Sequence, residues 1–443
     1  MLAVGPAMTE RHLEKLVPEQ EYIELLEDQA RVFFMLANGL LASGNENWTK
    51  RHFFQAQTEA DELEVFLDDY GARYNRTYHL FTELVASIRG FAIGGLSLAH
   101  LAGRLEDYGV LVDLAPDIQR EAAAAIEATR SFVQGTLQTL LEALVTEARN
   151  LGLVVPTEAA PHGTFAKRGQ RYRLPRNLDQ EELQDEEQRI AEVCTKYLQA
   201  CKMFEEARVR PIAATDKRRT YLRRHCLEEH ARVYEATVHN LQSAYDTYIK
   251  NTVLEGGDVR LPRLRGHISC CLHMLEVVTQ LTHFVERHES GARTDAAEQS
   301  LAKLVDPALV HEITLNKMLV WANTILRTGS ELAQDLLPSY TNVQTLEIEL
   351  EDGVTVHARP ASLIMAIVNH HGTPVEFEVA GQRCNAGSIL ELMIAIGSNP
   401  EERCYTMHGD ERPLRDLKLL FEHQLGENGI NLLPAQLDYL KNR

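Results

Sequence analysis

The segment Glu351-Asp-Gly-Val-Thr-Val-His-Ala-Arg-Pro-Ala-Ser362 joins two different patterns of apolar residues, late in a chain of 443 residues. Before it, apolar and polar residues alternate from Val343 to Leu350, which predicts a strand with one solvated face. After it, apolar residues recur with a helical period, and Pro360 occupies the first turn, where its missing N–H costs nothing. The segment therefore predicts a strand that leads into a helix, with His357 at the N-terminus of that helix.

The predicted position of His357 suits a phosphoryl group. The first N–H groups of a helix have no intrahelical partner and carry a partial positive charge, so they attract anions. The same charge disfavours imidazolium, which keeps the ring neutral and nucleophilic near pH 7. Arg359 can hold phosphate oxygens with two hydrogen bonds. These residues predict phosphoryl transfer through phosphohistidine, and the alternative is a surface histidine that ends a strand.

Three blocks of sequence extend this pattern. They are His357-Ala-Arg-Pro-Ala361, Asn385-Ala-Gly-Ser-Ile-Leu-Glu-Leu-Met-Ile-Ala-Ile-Gly397, and Gly409-Asp-Glu411 followed by an amphipathic helix that ends at Gly426-Glu427. In this order and spacing they resemble the histidine-containing phosphocarrier proteins (HPr) of the sugar phosphotransferase system. The resemblance covers Val343 to Glu427, about a fifth of the chain.

The resemblance implies a role for three residues. His357 corresponds to the phosphoryl acceptor, Arg359 to the phosphate clamp, and Ser388 to a serine that a regulatory kinase phosphorylates in some members. From the residues alone, Ser388 is a natural N-cap. The implied fold is an α+β open-faced sandwich, an antiparallel sheet with helices on one face. The implied partners are an enzyme I-like phosphoryl donor and a downstream phosphoryl acceptor or regulated protein, and no cofactor or metal is expected.

The chain departs from the family pattern around this site. Thr355-Val356 stands where the family usually has Gly-Leu, Gly387 replaces a common lysine, and Glu391 lies where a basic residue is frequent. From Val343 to Glu427 there are 14 acidic and 6 basic residues, whereas docking of an acidic donor depends on a basic face. The resemblance supports a first hypothesis, that the chain is a phosphoryl carrier or phosphorylation-dependent regulator rather than a stand-alone enzyme. The second is a non-catalytic binding or scaffold protein with a degenerate HPr-like domain.

The remainder of the chain has helical periodicity. We predict a multidomain protein: an all-α helical bundle over 1–155, a basic linker over 156–177, a second helical bundle over 178–337 and the HPr-like domain over 338–443. The second bundle is a candidate repeat of the first, and the pair also resembles the PhoU family of duplicated helical bundles. Charge complementarity suggests that the acidic carrier domain docks on a basic segment of the helical region, 167–176 or 217–224.

Composition limits the function classes. A net charge of −19 argues against nucleic acid as a partner. The longest apolar stretch, 84–102, contains Arg89 and His100, which favours a buried helix over a membrane span. The seven scattered cysteines fit a reducing compartment, and Met1–Met8 lacks the basic and apolar parts of a signal peptide. We therefore expect a cytoplasmic protein without membrane insertion. The sequence contains neither the Glu-x-x-His pairs of di-iron helical bundles nor the Gly-Lys of a phosphate-binding loop, so these motifs predict no metal or nucleotide site.

Overall fold

The computed structural model describes residues 16–44, 46–159, 186–289, 294–350 and 354–441. The chain is multidomain and mostly helical, with a small antiparallel four-stranded sheet near its C-terminus. This confirms the predicted succession of a helical region and a mixed α+β segment. Of the predicted basic linker, residues 160–177 lie outside the described part, and so does the basic segment 167–176.

Twelve helices precede the sheet in the described residues. They are α1 (Glu19–Ala42), α2 (Lys50–Asp69), α3 (His79–Arg104), α4 (Pro116–Asn150), α5 (Glu186–Glu206), α6 (Thr215–His225), α7 (Glu228–Tyr248), α8 (Val253–Gly257), α9 (Arg260–Glu289), α10 (Asp295–Leu304), α11 (Pro307–Glu312) and α12 (Val320–Leu336). A π-helical segment, Ile313–Leu319, joins α11 to α12. Such segments widen the backbone spiral and often occur at functional positions.

The chain divides into two compact units that do not follow chain order. As far as these residues are described, the first unit contains residues up to 100, 127–159 and 280–311, and the second contains 101–126, 186–279 and 312–441. Helices α3, α4 and α9 therefore each contribute residues to both units. The domain boundaries and the internal repeat expected from the sequence stay a prediction.

Close helix packing in the first unit depends on a glycine of α3. A Cβ atom at Gly95 would overlap the ring of Phe53 from α2, so only glycine allows these two helices to approach so closely. The same apolar stretch contributes buried residues such as Phe81, Leu84 and Leu98. Gly95 therefore lets the apolar stretch of α3 pack closely against α2.

Two described helices, α3 and α9, are long and apolar enough to cross a membrane by length and composition alone. In their most apolar windows, however, 61% of α3 and 78% of α9 is buried inside the protein. The core helices of soluble proteins pass the same test, so this observation is weak evidence for a membrane location. The cytoplasmic location stays a prediction.

The C-terminal sheet lies in the second unit together with three helices. Its strands are β1 (Val343–Glu349), β2 (Val375–Val379), β3 (Gln382–Asn385) and β4 (Cys404–Asp410), and its helices are α13 (Ala358–His371), α14 (Ile389–Gly397) and α15 (Glu411–Glu422). The strand order is β1-β4-β2-β3 and every neighbouring pair is antiparallel. Ala380 and Gly381 form the turn between β2 and β3, and both have positive φ angles, as a tight two-residue hairpin turn requires.

The two faces of this sheet differ in polarity. Phe377 of β2 and Met407 of β4 are paired in register and fully buried. They share one apolar core with Ile364 of α13, Leu392 of α14 and Leu417 of α15. The opposite face carries charged and polar side chains of β2, β3 and β4: Glu376, Glu378, Arg383 and His408. Along β2 and β4, buried residues therefore alternate with polar ones, as expected of a sheet that is covered on one face.

Candidate functional site

His357 lies at the N-cap of α13, as the sequence predicted. Its backbone is extended, and its Nδ1 accepts a long hydrogen bond from the N–H of Arg359 at 3.4 Å. The carbonyl oxygen of His357 accepts the N–H of Ala361, which closes the first helical turn. Because Pro360 has no N–H, the first-turn donors without an intrahelical carbonyl partner are those of Ala358 and Arg359. The His357 side chain is 52% exposed, so a phosphoryl donor can reach it.

A turn after α15 supplies a carboxylate to the histidine. The Nε2 atom of His357 lies 2.9 Å from Oε1 of Glu427. Gln424 and Leu425 both have positive φ angles, 49° and 54°, ahead of Gly426 at 74°. Non-glycine residues pay for this conformation, and such strain persists where the surrounding structure enforces it. The tight turn therefore brings Glu427 to the N-terminus of α13.

The hydrogen bond from the N–H of Arg359 assigns the tautomer of the His357 ring. Because Nδ1 accepts this bond, Nδ1 holds the lone pair, and the ring proton of the neutral tautomer lies on Nε2, the atom 2.9 Å from Oε1 of Glu427. The nucleophilic nitrogen thus points to the helix N-terminus, where Ala358 and Arg359 can donate to phosphate oxygens.

Arg359 approaches the same turn from α13. Its Nη2 donates to the carbonyl oxygen of Gly426 at 3.5 Å, the long limit of a hydrogen bond. The side chain is exposed, so exchanging this weak contact for a phosphate oxygen costs little. The structure therefore brings His357 and Arg359 together at residues 426–427. The sequence alone assigned no role to Glu427, although this acidic residue ends the third block of the family resemblance.

Ser388 is the N-cap of α14. Its Oγ accepts the N–H of Glu391 at 3.4 Å, and the carboxylate of Glu391 accepts the N–H of Asn385 at 3.0 Å. A Cβ atom at Gly387 would lie 3.4 Å from Asn369, near the C-terminal end of α13. Asn369 is ten residues beyond Arg359, about 15 Å along a helix. The structure does not bring Ser388 together with His357, and a capping role explains its local contacts.

One face of α14 carries exposed apolar side chains. Leu390 is 67% exposed and Ile394 is 54% exposed. Residues four positions apart lie on the same face of a helix, so these two side chains form one small apolar surface. In the sequence, Leu390 and Ile394 lie in the block that contains this helix, and its run of apolar residues does not separate the exposed face from the buried one.

A buried polar cluster holds the other end of α13. The carboxylate of Asp416 accepts hydrogen bonds from Nε2 of His371 and from the hydroxyl of Tyr439, both at 2.8 Å. The ring of His370 stacks on Tyr439 with centroids 3.7 Å apart. Burial raises the pKa of Asp416, but the hydrogen bonds from His371 and Tyr439 lower it more, and the result lies below the usual value. This cluster fixes α13 to α15 and to the C-terminal segment.

One histidine of the helical region, His267, has both ring nitrogens occupied by contacts within the protein. His267 is fully buried, with Nδ1 2.8 Å from the carbonyl oxygen of Ile325 and Nε2 2.9 Å from a carboxylate oxygen of Asp113. Both ring nitrogens are therefore engaged in the core of the second unit. Among the described residues, no group of three or more His, Cys, Asp or Glu side chains could hold a metal ion.

Comparison with known proteins adds no assignment to this geometry. No protein-family model matches the chain, and no solved structure matches it significantly. The function of the chain is therefore inferred from the residues and contacts described above.

Proposed function

We propose that the chain is a phosphoryl carrier or phosphorylation-dependent regulator that accepts a phosphoryl group on Nδ1 of His357. The observation that supports this proposal is the convergence of three groups: an imidazole whose Nδ1 faces a helix N-terminus, a carboxylate beside its other nitrogen, and an exposed arginine near both. This is the arrangement expected of a reversible carrier, since it stabilises the phosphoryl group without burying it.

The transfer step assigns a part to each residue. A bond between Nδ1 and phosphorus forms while the bond from phosphorus to the donor atom breaks, and the electron pair of that bond leaves with the donor. The ring keeps its Nε2 proton and becomes positively charged, and Glu427 stabilises that charge at 2.9 Å. Arg359 leaves the Gly426 carbonyl and binds the phosphoryl oxygens together with the N–H of Ala358.

The HPr-like open-faced sandwich is part of this proposal. It is supported by the order of strands and helices, by the single covered face of the sheet, and by the three blocks of sequence. The apolar surface formed by Leu390 and Ile394 is the proposed contact for an enzyme I-like donor or a downstream acceptor. The phosphotransferase system, a cytoplasmic location and regulatory phosphorylation of Ser388 belong to the same proposal.

The decisive experiment separates the chemistry of the site from recognition by a partner. The purified chain is incubated with phosphoramidate, a small donor that phosphorylates imidazole directly, and separately with phosphoenolpyruvate and the enzyme I of the same organism. We expect acid-labile, base-stable phosphate that is absent in His357→Ala. It should be retained in the control His423→Gln, an exposed histidine of the same segment whose Nδ1 donates to the carbonyl of Leu419. Phosphate that persists in His357→Ala contradicts the proposal.

The second candidate is a binding or scaffold protein whose HPr-like domain no longer carries phosphate. Its support is the acidic charge of the segment, with 14 acidic and 6 basic residues from Val343 to Glu427. The two candidates differ in one measurement: a scaffold acquires no phosphate on His357 from either donor. Labelling by phosphoramidate but not by enzyme I would instead mean a competent site with a different natural donor.

Docking of the acidic carrier domain on the basic segment 217–224 also remains a proposal. The contacts described for this domain include two with α5, where Gly372 lies against Glu192 and Arg412 lies 4.0 Å from Glu187. Near its start, the hydroxyl of Tyr340 donates to a carboxylate oxygen of Asp258. Cross-linking at low and at high salt tests the proposal, because a charge-driven contact weakens as salt screens it. Absence of cross-links to 217–224 at low salt would remove it.

A further inference from the structure

A cavity at the C-terminal end of α5 is lined by an excess of positive charge. Its volume is about 370 Å³, and its lining comprises Glu206, Arg208, Arg210, Tyr221, Arg224 and His225. This volume falls in the usual range for sites that hold a small molecule. All six residues belong to the second unit, and they lie far along the chain from the proposed phosphoryl acceptor.

The three arginines give this cavity an excess of positive charge. In the part of the chain that the structure describes, no carboxylate pairs with Arg208, Arg210 or Arg224, although Glu206 lines the same cavity. Three guanidinium charges against one carboxylate leave a net charge of about +2 when His225 is neutral. A phosphomonoester carries about −1.5 to −2 at pH 7, which matches this excess.

The loop between α5 and α6 that carries Arg208 and Arg210 is held in place from outside. Asn316, in the π-helical segment, accepts the N–H of Ile212 at 2.9 Å and donates to its carbonyl oxygen at 3.0 Å. Arg218 is buried and donates to the carbonyl oxygens of Ile212 and Ala213. The loop is therefore fixed by side chains that do not line the cavity.

Two further features order the cavity wall. Arg208 has a positive φ of 52°, a conformation that costs a non-glycine residue energy and is found at functional sites. The hydroxyl of Tyr221 donates to the carbonyl oxygen of Ala207 at 2.9 Å, which ties α6 to the start of the loop. The ring of Tyr221 also packs against that of His225, with centroids 4.9 Å apart. A loop held this rigidly presents its arginines at little entropic cost.

The pKa of His225 depends on the charge of this cavity. Burial lowers the pKa of His225, and the positive charges of nearby arginines and of His230 lower it further. The ring is therefore neutral at pH 7 and can donate or accept one hydrogen bond to a ligand. An anion in the cavity would offset the arginine charges and raise the pKa of His225.

We propose that this cavity, formed by Arg208, Arg210, Arg224 and His225, binds a phosphate-bearing small molecule. The guanidinium groups bind the phosphate oxygens, and the remaining volume accommodates the esterified group. The site gives the helical region a ligand of its own, and the proposal does not depend on phosphoryl transfer at His357.

Calorimetric titration of the full chain tests the proposal with three probes: inorganic phosphate, glucose 6-phosphate and glucose. We expect the two phosphate-bearing probes to bind and glucose not to bind, and their relative affinities identify free phosphate or a phosphomonoester as the preferred form. The double variant Arg210→Gln with Arg224→Gln should bind at least about tenfold more weakly, because each charge-assisted contact contributes that much or more. Arg120→Gln, an exposed arginine elsewhere in the second unit, is the matched control.

A second measurement uses the unmodified chain. The pKa of His225, followed by NMR, should rise when glucose 6-phosphate saturates the protein. The proposal is overturned if neither phosphate-bearing probe binds at millimolar concentration, or if glucose binds equally well. It is also overturned if Arg120→Gln weakens binding as much as the double variant, or if the pKa of His225 does not change on binding.

Discussion

Replacing Asp416 by asparagine should loosen the C-terminal α+β segment at the end of α13 opposite His357. Asp416 is 4% exposed and accepts hydrogen bonds from His371 and Tyr439 at 2.8 Å each. A bond to a charged acceptor contributes roughly 1 kcal/mol more than a bond to a neutral one, so the two bonds together lose about 2 kcal/mol. The asparagine keeps the shape of the side chain, and the loss is therefore one of charge and not of packing.

Hydrogen exchange measures this loss where it occurs. A decrease of about 2 kcal/mol in the free energy of opening accelerates amide exchange roughly 30-fold. The acceleration should appear in peptides from 358–371 and 411–422 of the full chain. Asp438→Asn is the control, because Asp438 is 60% exposed in its pair with Lys441 and surface pairs contribute about 0–1 kcal/mol.

The pH dependence of the same variant follows from the lowered pKa of Asp416. A carboxyl whose pKa is lower in the folded state stabilises the fold above its unfolded pKa, and this stabilisation is lost as pH falls through the folded pKa. The difference between the wild type and Asp416→Asn should therefore be complete at neutral pH. It should decrease below about pH 4, where unfolded aspartate begins to take up protons. Equal exchange of the two proteins at pH 7 would refute the charged cluster as the support of α13.

Three further changes have expected outcomes. If His357 accepts phosphate as proposed, Glu427→Gln should slow its labelling by phosphoramidate up to about fivefold, since an exposed ion pair contributes up to about 1 kcal/mol; an unchanged single-turnover rate would exclude a role for Glu427. Gly372→Ala should destabilise the fold by about 1–2 kcal/mol in urea denaturation because its φ is +67°, whereas Gly397→Ala, with open space around it, should not. An alkylating thiol reagent should modify exposed Cys404 much faster than Cys194, because burial raises the pKa of that thiol to about 12; equal rates would contradict the described burial.

Local patterns in the sequence predicted the elements of the C-terminal segment correctly. Alternation from Val343 to Leu350 corresponds to β1, and the pattern after Arg359 corresponds to α13 with His357 at its N-cap. The hairpin was also predictable, because Gly381 follows the alternating apolar and polar residues of Val375–Val379 and precedes a second short segment, Gln382–Asn385. These features depend on residues within one or two turns of each other, so the sequence carries them directly.

The sequence could not predict which side chains of distant elements contact each other. Glu427 lies seventy positions after His357 in the chain, and the two meet because a turn with positive φ angles follows α15. The pairing of His371 with Asp416 likewise needs α13 and α15 to pack on the same face of the sheet. Periodicity predicts which face of an element is buried, but it does not say which residues of distant elements lie opposite it.

The sequence by itself determined a helical region, a small mixed segment and a histidine with an arginine at a helix N-terminus. The tertiary structure placed the carboxylate of Glu427 beside that histidine, and it collected Arg208, Arg210 and Arg224 around one cavity. In the sequence, basic residues of this kind are indistinguishable from a solvated helix face. Their significance arises only because packing gathers them around one concave surface, where like charges in close proximity favour an anion between them.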